Sequence, residues 1–582
     1  MPFYAIDFET YYDDDCSVKI LGPEAYVSHP QFKAYMVAIH SPDISYVGDP
    51  LTFNWNYLTN ASGFVAHNAR FDRAVFRSLP VTDKLREIPW FCTADLAVYL
   101  RAGRSLKDAA KDLLGVTLNK DLRDKARGKS WEQLVADGIG EEMKKYCARD
   151  AELCYTLWDK FSDKWPDTER AISALNMDSG ATGIHIDEEL LDKGMDILAD
   201  IKFKAGKLIP WDWGDNKTPL SPIKLGLACR AAGIEPPASV AEDSEECAEW
   251  EEKYSGKYPW ISTLRDWRKA NILWKKLQTV QNRLSPNGIL NYEIKYFGAH
   301  TGRFSGSGGF NIQNMPRDPL HGVHLRNMII PRAGKKIVHI DLSQIEARIL
   351  LWFVKDTEAL ARIRAGEHIY EVHARETMGW TGGPLKKENP KLYSLAKARV
   401  LGAGYQCGGP RFVSLAKTMA GVILTEAEAI KVIADYRAKN KKIVAFWGRL
   451  NRDFFWSYQK NEPYEMCLPS GRVLRYENIR SIGGNLRASV EINGNPHNFF
   501  GGKLTENLVQ ATARDVFVGA LMRASAKFPM LFHVHDEGNF EVDELTAEQD
   551  AAEIKRLFEM PVPWLPGCPI EAEVKVLDRY EK

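Results

Sequence analysis

The chain has 582 residues, 45% of them hydrophobic and 26% charged, and at roughly 100–200 residues per domain this length predicts three or more domains. Its 77 basic and 77 acidic residues give a formal net charge of zero, so a nucleic-acid groove would require local clustering of Lys and Arg. The sequence contains no C-x-x-C pair and no run of ~20 apolar residues, which argues against a zinc site and a membrane helix.

Two further features predict the compartment. Asp7 and Glu9 interrupt the apolar residues at the N-terminus, a pattern not typical of a signal peptide. The nine cysteines are scattered along the chain, which suits a reducing compartment better than a disulfide scaffold. We therefore expect a cytoplasmic protein that does not enter a membrane.

The first 165 residues read as strands followed by helices. Amphipathic stretches predict helices around 94–101, 105–115 and 141–164, and β-rich runs predict strands at 3–8, 35–40 and 63–66. This order predicts an α/β domain over residues 1–165.

Carboxylates recur within this first domain. Asp7 and Glu9 alternate along a predicted strand, so their side chains share one face. Asp72 follows a predicted strand, and Tyr146 and Asp150 are four apart on a predicted helix. The four acids could hold two divalent metal ions at a phosphodiester, and Tyr146 could orient the attacking water. The alternative is a set of ordinary surface acids.

This order and spacing resembles the DEDD-type 3′→5′ exonucleases, in the branch with Tyr before the last Asp. The resemblance covers about residues 1–160 and includes Thr93, and Leu106 with the residues that follow it, K-D-A-A-K-D-L-L-G. It implies an active exonuclease site.

Beyond residue 165 the chain is first mostly helical, for example over 188–207 and 261–282, and mixes strands and helices from 291 onward. The segment V-H-I-D-L-S-Q-I-E-A-R-I carries Asp341 at the end of a predicted strand that runs into a helix. The segment F-H-V-H-D-E places Asp536 at a turn between two predicted strands. One carboxylate from each segment could hold two magnesium ions against a triphosphate.

Two more segments suit nucleotide and DNA contacts. Lys397, Leu401 and Tyr405 lie on one face of a predicted helix over 391–408. The segment H-T-G-R-F-S-G-S-G-G-F-N-I-Q-N-M-P-R over 300–317 is rich in Gly and Asn, and its polar side chains suit contacts to bases and backbone. Each segment taken alone also fits an ordinary amphipathic helix or surface loop.

In this order the four segments resemble the family A DNA polymerases, particularly the short phage-type members. The resemblance covers roughly 175–582 and includes L-P-S-G-R at 468–472 and G-G-K-L-T-E-N-L-V-Q at 501–510. It implies an α/β and α+β multidomain fold, with a ribonuclease H-like exonuclease domain before a right-hand polymerase of antiparallel-sheet palm, helical thumb and fingers. The implied division is exonuclease 1–165, start of palm and thumb 166–290, palm 291–350, fingers 351–465 and palm 466–582.

The resemblance also implies residue roles. Asp341 and Asp536 would bind two Mg²⁺, with Mn²⁺ as a substitute, and Glu537 would be a supporting acid near the primer end. Lys397 would meet the triphosphate and give a proton to pyrophosphate. The other positions divide into a nucleotide group of Gln344, Glu346, Leu401 and Tyr405, in which Glu346 blocks a ribose 2′-hydroxyl, and a primer–template group of Arg303, Asn311, Gln313, Asn314, Gln510 and His535.

The nucleotide pocket departs from the family pattern. Leu342 stands where Tyr or Phe is common, Tyr393 where Arg is usual, Tyr370 where His is usual, and Gln406 where Gly is usual. Two usual phosphate contacts are therefore missing, and the candidates to replace them are Lys391, His373 and Arg399.

The predicted protein is a monomeric DNA polymerase with proofreading that acts on primer–template DNA and dNTPs, replicates a phage genome and works in the host cytoplasm. A replisome partner cannot be named from the sequence. Three alternatives stay open: a single-subunit RNA polymerase, against which Glu346 argues, a nuclease whose C-terminal half only binds DNA, and a non-enzymatic DNA-binding protein.

Overall fold

The computed structural model describes residues 2–118, 121–211, 219, 221–240 and 244–581. The N-terminal part forms one sheet in the order β3-β2-β1-β4-β5, in which β1 is antiparallel to β2 and parallel to β4. Its strands are β1 (Phe3–Thr10), β2 (Ala34–His40), β3 (Ser45–Gly48), β4 (Gly63–Ala66) and β5 (Trp90–Cys92).

Helices cover this sheet, and α8 packs against β1 and β2. Phe8, Phe64, Phe76 and Trp90 form an aromatic core on one side of it. The helices are α1 (Val18–Leu21), α2 (Pro23–Val27), α3 (Ala69–Ser78), α4 (Thr93–Tyr99), α5 (Leu106–Ala109), α6 (Asp121–Ala126), α7 (Trp131–Ala136) and α8 (Gly140–Phe161), and a π-helical turn covers Ala110–Leu114.

The middle of the chain is built on a pair of long helices, α10 and α13. Leu191, Leu198 and Leu277 are buried where they pack. The helices are α9 (Asp167–Thr182), α10 (Glu188–Leu208), α11 (Pro222–Ala231), α12 (Glu245–Tyr254) and α13 (Pro259–Arg283), and the short strands are β6 (Ile184–Ile186), β7 (Ile289–Leu290), β8 (Glu293–Lys295), β9 (Ser305–Ser307) and β10 (Ile329–Ile330).

The C-terminal part has an antiparallel sheet in the order β16-β17-β11-β18, whose inner face packs on α22 and α23. A second sheet has the order β12-β13-β14-β15. The strands are β11 (Lys335–Leu342), β12 (Tyr464–Cys467), β13 (Val473–Ile482), β14 (Asn485–Ser489), β15 (His497–Asn498), β16 (Met530–Val534), β17 (Glu537–Asp543) and β18 (Ala572–Leu577).

Between β11 and β12 the chain forms a layer of helices, and α21 leads back to the second sheet. The helices from here to the C-terminus are α14 (Ile345–Phe353), α15 (Thr357–Arg364), α16 (Ile369–Thr377), α17 (Leu385–Glu388), α18 (Pro390–Gly402), α19 (Gly409–Ala420), α20 (Glu426–Lys439), α21 (Lys441–Lys460), α22 (Gly501–Ser525) and α23 (Ala547–Phe558).

A buried ion pair joins the two halves of the molecule. Arg514 on α22 donates from Nη2 to Glu169 on α9 at 2.8 Å, and the Tyr296 hydroxyl donates to the same carboxylate at 2.7 Å. Burial of Glu169 opposes its ionised form, but the charge and hydrogen bonds of Arg514, the Tyr296 hydroxyl and the charge of Arg472 together outweigh burial and lower the pKa of the carboxyl below its usual value. A buried pair of this kind is strongly destabilising when one partner is lost, so α9 is fixed to the C-terminal half.

The predicted elements around the acidic residues are confirmed. The predicted strands at 3–8, 35–40 and 63–66 and the helices around 94–101 and 141–164 are present within one to three residues, whereas β3 was not predicted. Among the described residues, no helix combines the length and the low polarity needed to cross a bilayer.

Candidate active sites

The first acidic pocket lies where β1 meets the start of α3. Asp7 and Glu9 lie on β1 opposite Ala38 and Met36 of β2. Asp72, in the first turn of α3, is almost fully buried, and its Oδ1 accepts a hydrogen bond from the Phe8 N–H at 3.0 Å. This bond ties α3 to β1 and places a third carboxylate beside the first two.

The helix α8 completes this pocket. Tyr146 and Asp150 lie one turn apart on it, as predicted, and their side chains are hydrogen-bonded to each other. Cys147, which the sequence did not single out, donates from its thiol to the Asp7 carbonyl at 3.5 Å. Burial and the negative charges of Asp150, Glu9 and Asp7 raise the pKa of Tyr146, so its hydroxyl keeps its proton.

The carboxylates of this pocket repel one another. Burial, followed by the charges of Asp72, Asp150 and Glu9, raises the pKa of Asp7 well above its usual value. Burial and Asp150 raise the pKa of Glu9 to about 8, and the nearby Arg123 offsets this only in part. Like charges crowded in a low-dielectric site are stable as anions only beside a counter-cation.

A divalent cation fits this arrangement. Asp7 Oδ2 is buried and has no hydrogen-bond partner among the described residues. Possible ligand atoms of Asp7, Glu9 and Cys147 all lie within 4.8 Å of one another. Oxygen-rich groups of several carboxylates are typical of Mg²⁺ and Mn²⁺ sites.

The second acidic pocket lies at the edge of the C-terminal sheet. Asp341 is near the end of β11, and Asp536 is in the turn between β16 and β17, as predicted. The Leu342 N–H donates to the Asp536 carbonyl at 3.3 Å, which brings the two acidic segments together. Burial and the charge of Asp341 raise the pKa of Asp536 to about 7. Two crowded carboxylates again suit a cation.

Gln313 has a structural role that the sequence did not indicate. This residue was expected to contact DNA, and its side chain is buried in the structure. Its Nε2 donates to the His533 carbonyl at 2.6 Å, and its Oε1 accepts from the His535 N–H at 3.0 Å. Gln313 therefore braces the turn that carries Asp536, and its contact with DNA stays a prediction.

Glu537 is also buried. It was expected near the primer end, and only 2% of its surface is exposed. The Tyr580 hydroxyl donates to Glu537 Oε2 at 3.2 Å beneath the sheet. Glu537 lies on β17 with Asp341 of β11 as its Cα partner, and its supporting role near the primer end stays a prediction.

Next to the acidic pair, Arg303 forms an ion pair with Glu346 on α14. Glu346 and Glu506 both contribute to the raised pKa of Tyr405, so the three groups are close. Tyr405 itself lies in a 3-10 turn beyond the end of α18, and not on the helix face with Lys397 as predicted. The structure nevertheless brings Arg303, Glu346 and Tyr405 together.

The predicted nucleotide helix is α18. Lys397 is half-buried on it and has no ion-pair partner among the described residues. Leu401 packs with Tyr370 and Tyr393, two of the four residues that depart from the family pattern. These rings meet edge to face at 5.5 Å between centroids, and His368 lies against Tyr370 at 4.9 Å.

Two of the three candidate replacements for phosphate contacts are excluded. His373 is buried, bonds Thr377 at 3.1 Å, and burial lowers its pKa to about 3. Arg399 is buried and pairs with Asp435 at 2.9 Å. Both lie on the core side of the helical layer. Lys391 is exposed at the first turn of α18.

Gln406, another of the four departures, has a structural role that sequence reasoning missed. Its φ is +65°, in the left-handed region that favours glycine. Its Oε1 accepts from the Gly502 N–H at 2.7 Å, and Gly502 approaches the Tyr405 carbonyl so closely that a Cβ would lie 2.3 Å from it. This hydrogen bond offsets the strain and fixes the Tyr405 turn to α22.

The remaining predicted residues surround the second pocket. The Thr301 hydroxyl donates to Gln510 on α22 at 2.8 Å. Three residues that were expected to contact DNA are exposed: Asn311, Asn314 and His535. Gln344 precedes α14 in a left-handed conformation, with φ +45°.

The chain was compared with known proteins. Residues 241–582 match the model of DNA polymerase family A, and residues 45–165 match that of a 3′→5′ exonuclease. This chain belongs to DNA polymerase family A. It is a DNA-directed DNA polymerase with an attached 3′→5′ exonuclease domain, and the alternatives of an RNA polymerase and a non-enzymatic DNA-binding protein are not supported.

Relatives agree with this membership. The DNA polymerase of Bacillus phage SP02 is 25% identical and aligns over 100% of both chains. The thermostable DNA polymerase I of Thermus filiformis is also 25% identical, over 84% of this chain and 57% of its own length.

A solved structure shows the same fold. It is the POL domain of Pol1 from M. smegmatis in complex with DNA primer-template and dNTP, with a TM-score of 0.68 and 16% identity, covering 99% of this chain and 95% of that one. The predicted fold class is confirmed: an exonuclease domain precedes a family A polymerase. Family A polymerases and their exonucleases depend on divalent metal ions in general.

Proposed function

We propose that the pocket of Asp341 and Asp536 extends a primer, and that the pocket of Asp7, Glu9 and their neighbours trims its 3′ end. The observation that supports this division is the presence of one crowded carboxylate group in each half of the chain. Each group has a raised carboxyl pKa, at Asp536 to about 7 and at Glu9 to about 8. Neither arrangement favours ionised carboxylates unless a cation is bound.

Two Mg²⁺ in each pocket, or Mn²⁺ in their place, would be held by Asp341 and Asp536 in one and by Asp7, Glu9, Asp72 and Asp150 in the other. When bound, such cations lower the pKa of the attacking hydroxyl or water and neutralise charge on the leaving phosphate.

Around the polymerase pocket, this chain's own residues bind and orient the substrates. Lys397, half-buried and without an acidic partner among the described residues, would meet the triphosphate and provide a proton for pyrophosphate. Glu346, held by Arg303, would fill the space of a ribose 2′-hydroxyl. Leu401, Tyr405 and Gln344 would bound the nucleotide. On the primer–template side, Arg303, Gln510, Asn311, Asn314 and His535 would contact DNA.

Around the exonuclease pocket, Tyr146 keeps its proton and hydrogen-bonds Asp150. It would orient the attacking water toward the phosphorus. Cys147 fixes the β1 backbone at Asp7 through its hydrogen bond.

The substrates proposed for this chain are primer–template DNA and dNTPs, and the chain would work as a monomer. Its full-length similarity to the DNA polymerase of a Bacillus phage supports replication of a phage genome in the host cytoplasm. We propose the domain division exonuclease 1–165, start of palm and thumb 166–290, palm 291–350, fingers 351–465 and palm 466–582.

The test is a pair of assays on two variants. Asp536→Asn should reduce primer extension by about a hundred- to a thousandfold and leave hydrolysis of single-stranded DNA at the wild-type rate. Asp7→Asn should do the reverse. Both substitutions keep the side-chain volume, so folding is conserved.

Asp163→Asn, at an exposed position outside both pockets, is the matched control and should change neither rate. Extension by Asp536→Asn at the wild-type rate would overturn the proposed polymerase site. If the wild-type protein does not extend a primer at all, the result would instead support a C-terminal half that only binds DNA.

A further inference from the structure

The sheet β12-β13-β14-β15 has one face packed on the molecule and one face turned outward. Leu474, Tyr476 and Ala488 are buried on the packed face. On the outward face Arg480 of β13 lies directly opposite Arg487 of β14.

Two like charges directly opposite each other destabilise an antiparallel ladder. Neither Arg480 nor Arg487 forms an ion pair with another described residue, and Arg487 Nε is buried without a hydrogen-bond partner there. By contrast, Arg475 on the same strand is neutralised by Glu465 at 2.8 Å and by Glu477 at 2.9 Å. The uncompensated charge is therefore confined to the Arg480–Arg487 row, which suits an anion.

The same face reaches the exonuclease half. Arg101, which follows α4, donates from Nη1 to Glu477 at 3.3 Å and from Nε to the Val490 carbonyl at 3.3 Å. Asn493, in the loop after β14, donates to Asp112 at 2.8 Å. The sheet is thus attached to the exonuclease segment 101–112.

That segment leads to the first acidic pocket. His67 Nε2 forms a hydrogen bond with the Arg104 carbonyl at 2.9 Å, and His67 Nδ1 forms one with the Thr93 hydroxyl at 3.0 Å. His67 follows β4 directly and precedes α3, which carries Asp72. One end of the outward face is therefore connected to the exonuclease site by a short series of contacts.

The packed side of the sheet leads toward the polymerase pocket. His300, three residues before Arg303, lies against Phe499 at 6.4 Å between ring centroids. Burial, with the positive charges of Lys503, Arg472, His497 and Arg101, lowers the pKa of His300 to about 4. Positive groups from both halves are thus close to His300, although the whole chain has no net charge.

We propose that the Arg480–Arg487 row binds the phosphate backbone of the single-stranded primer end as it passes from the polymerase pocket to the exonuclease pocket. This inference rests on the proposed division of activities. The occupant is chosen by charge complementarity and by position, because the row lies on a sheet attached to both halves. Contacts of Arg to phosphate are strong, frequently bidentate and independent of base sequence, as a proofreading route requires.

The decisive variant is Arg480→Glu. It places a carboxylate opposite Arg487, so the ladder gains an attractive pair and the melting temperature should not fall. The row nevertheless loses its affinity for phosphate. Removal of a short mismatched 3′ end from a duplex should slow by about tenfold at low salt, and the difference should shrink as salt rises.

Two assays on the same variant separate this inference from the proposed function. Extension of a matched primer, and hydrolysis of a very short single-stranded oligonucleotide, should both stay at the wild-type rate. Arg556→Glu, an exposed charge reversal on α23, is the matched control and should leave mismatch removal unchanged. Wild-type mismatch removal by Arg480→Glu would overturn the inference and leave the two active sites untouched.

Crosslinking identifies the strand. A photoreactive thymidine analogue in the mismatched primer end should crosslink to residues 480–487, and the yield should fall in Arg480→Glu. Crosslinking to this row from the template overhang, and not from the primer, would overturn the assignment of the primer strand.

Discussion

The two acidic pockets share one ligand chemistry but differ in how their charge is balanced. The exonuclease pocket gathers four carboxylates from β1, α3 and α8, and burial raises the pKa values of Asp7 and Asp72. The polymerase pocket gathers two, and Arg303 lowers the cost of ionising Asp536. Arg303 also pairs with Glu346 at the edge of that pocket.

This difference follows from what each pocket must admit. A pocket that receives a triphosphate has to accept several negative charges in addition to its carboxylates, so fixed positive groups nearby are useful. A pocket that cuts one phosphodiester can rely on its cations for charge balance. The exonuclease site should therefore depend more strongly on bound metal than the polymerase site.

The largest expected effect compares one glutamate from each pocket, Glu9 and Glu346. Glu9→Gln should lower the single-stranded hydrolysis rate by about a hundred- to a thousandfold, because it removes a carboxylate from the metal pocket. Glu346→Gln should lower dNTP incorporation by only about tenfold, since Arg303 already neutralises that carboxylate, and should relax discrimination against ribonucleotides. Single-turnover rates measure both. Equal losses in the two variants would remove the distinction between the pockets.

The next effect concerns stability without metal. The folded-state pKa values of Asp7, Glu9 and Asp72 are raised above their unfolded values. Their contribution to stability is therefore present below about pH 4 and is lost as the pH rises through the folded values, near 8 for Glu9. In EDTA at about pH 8, Asp7→Asn should increase the free energy of unfolding by about 1–3 kcal/mol.

The control for this prediction is Asp163→Asn, which should have no effect. Mg²⁺ should stabilise the wild type more than it stabilises Asp7→Asn. At about pH 5 the two proteins should have the same free energy of unfolding. A variant less stable than the wild type in EDTA at high pH would contradict the crowded-carboxylate account. Urea unfolding at the two pH values is the measurement.

A smaller effect tests the brace under the polymerase pocket. Gln313→Ala leaves two buried partners on the β16–β17 turn without hydrogen bonds and should cost about 1–3 kcal/mol of stability. Extension should fall with it, because Asp536 lies in that turn. Asn314→Ala, at an exposed neighbouring position, should keep the wild-type stability. If Gln313→Ala loses DNA affinity but keeps its stability, the result would instead support a direct contact between the Gln313 side chain and DNA.

The smallest effect concerns the left-handed Gln406. Gln406→Gly relieves backbone strain but loses the hydrogen bond to the Gly502 N–H, so the net change in stability should stay within about 1 kcal/mol. Gln406→Ala keeps the strain and loses the bond, and should cost more than the glycine variant. Thermal melting of the two variants compares them. Equal melting temperatures would show that the left-handed backbone carries no strain.

Much of both pockets could be predicted from sequence because their residues lie on regular elements. Asp7 and Glu9 alternate on a strand, Tyr146 and Asp150 are one helical turn apart, and Asp536 occupies a tight turn. Period and turn chemistry fix such positions locally. The order of the motifs then identified the family.

What could not be predicted depends on contacts between distant segments. Gln313 appears in a polar, glycine-rich segment typical of a surface loop, and only its packing under β16 and β17 buries it. Arg399 and His373 lie on helices whose buried face is chosen by neighbouring helices, not by their own periodicity. The Arg101–Glu477 pair joins residues 376 positions apart, and no local pattern indicates it.

The central claim is that each pocket holds its own metal ions. The most direct measurement is anomalous diffraction from a crystal of the full chain with primer–template, dNTP and Mn²⁺. We expect manganese peaks between Asp341 and Asp536 and beside Asp7 and Glu9. Manganese at the exonuclease acids alone, with Asp341 and Asp536 bare beside a bound dNTP, would contradict it.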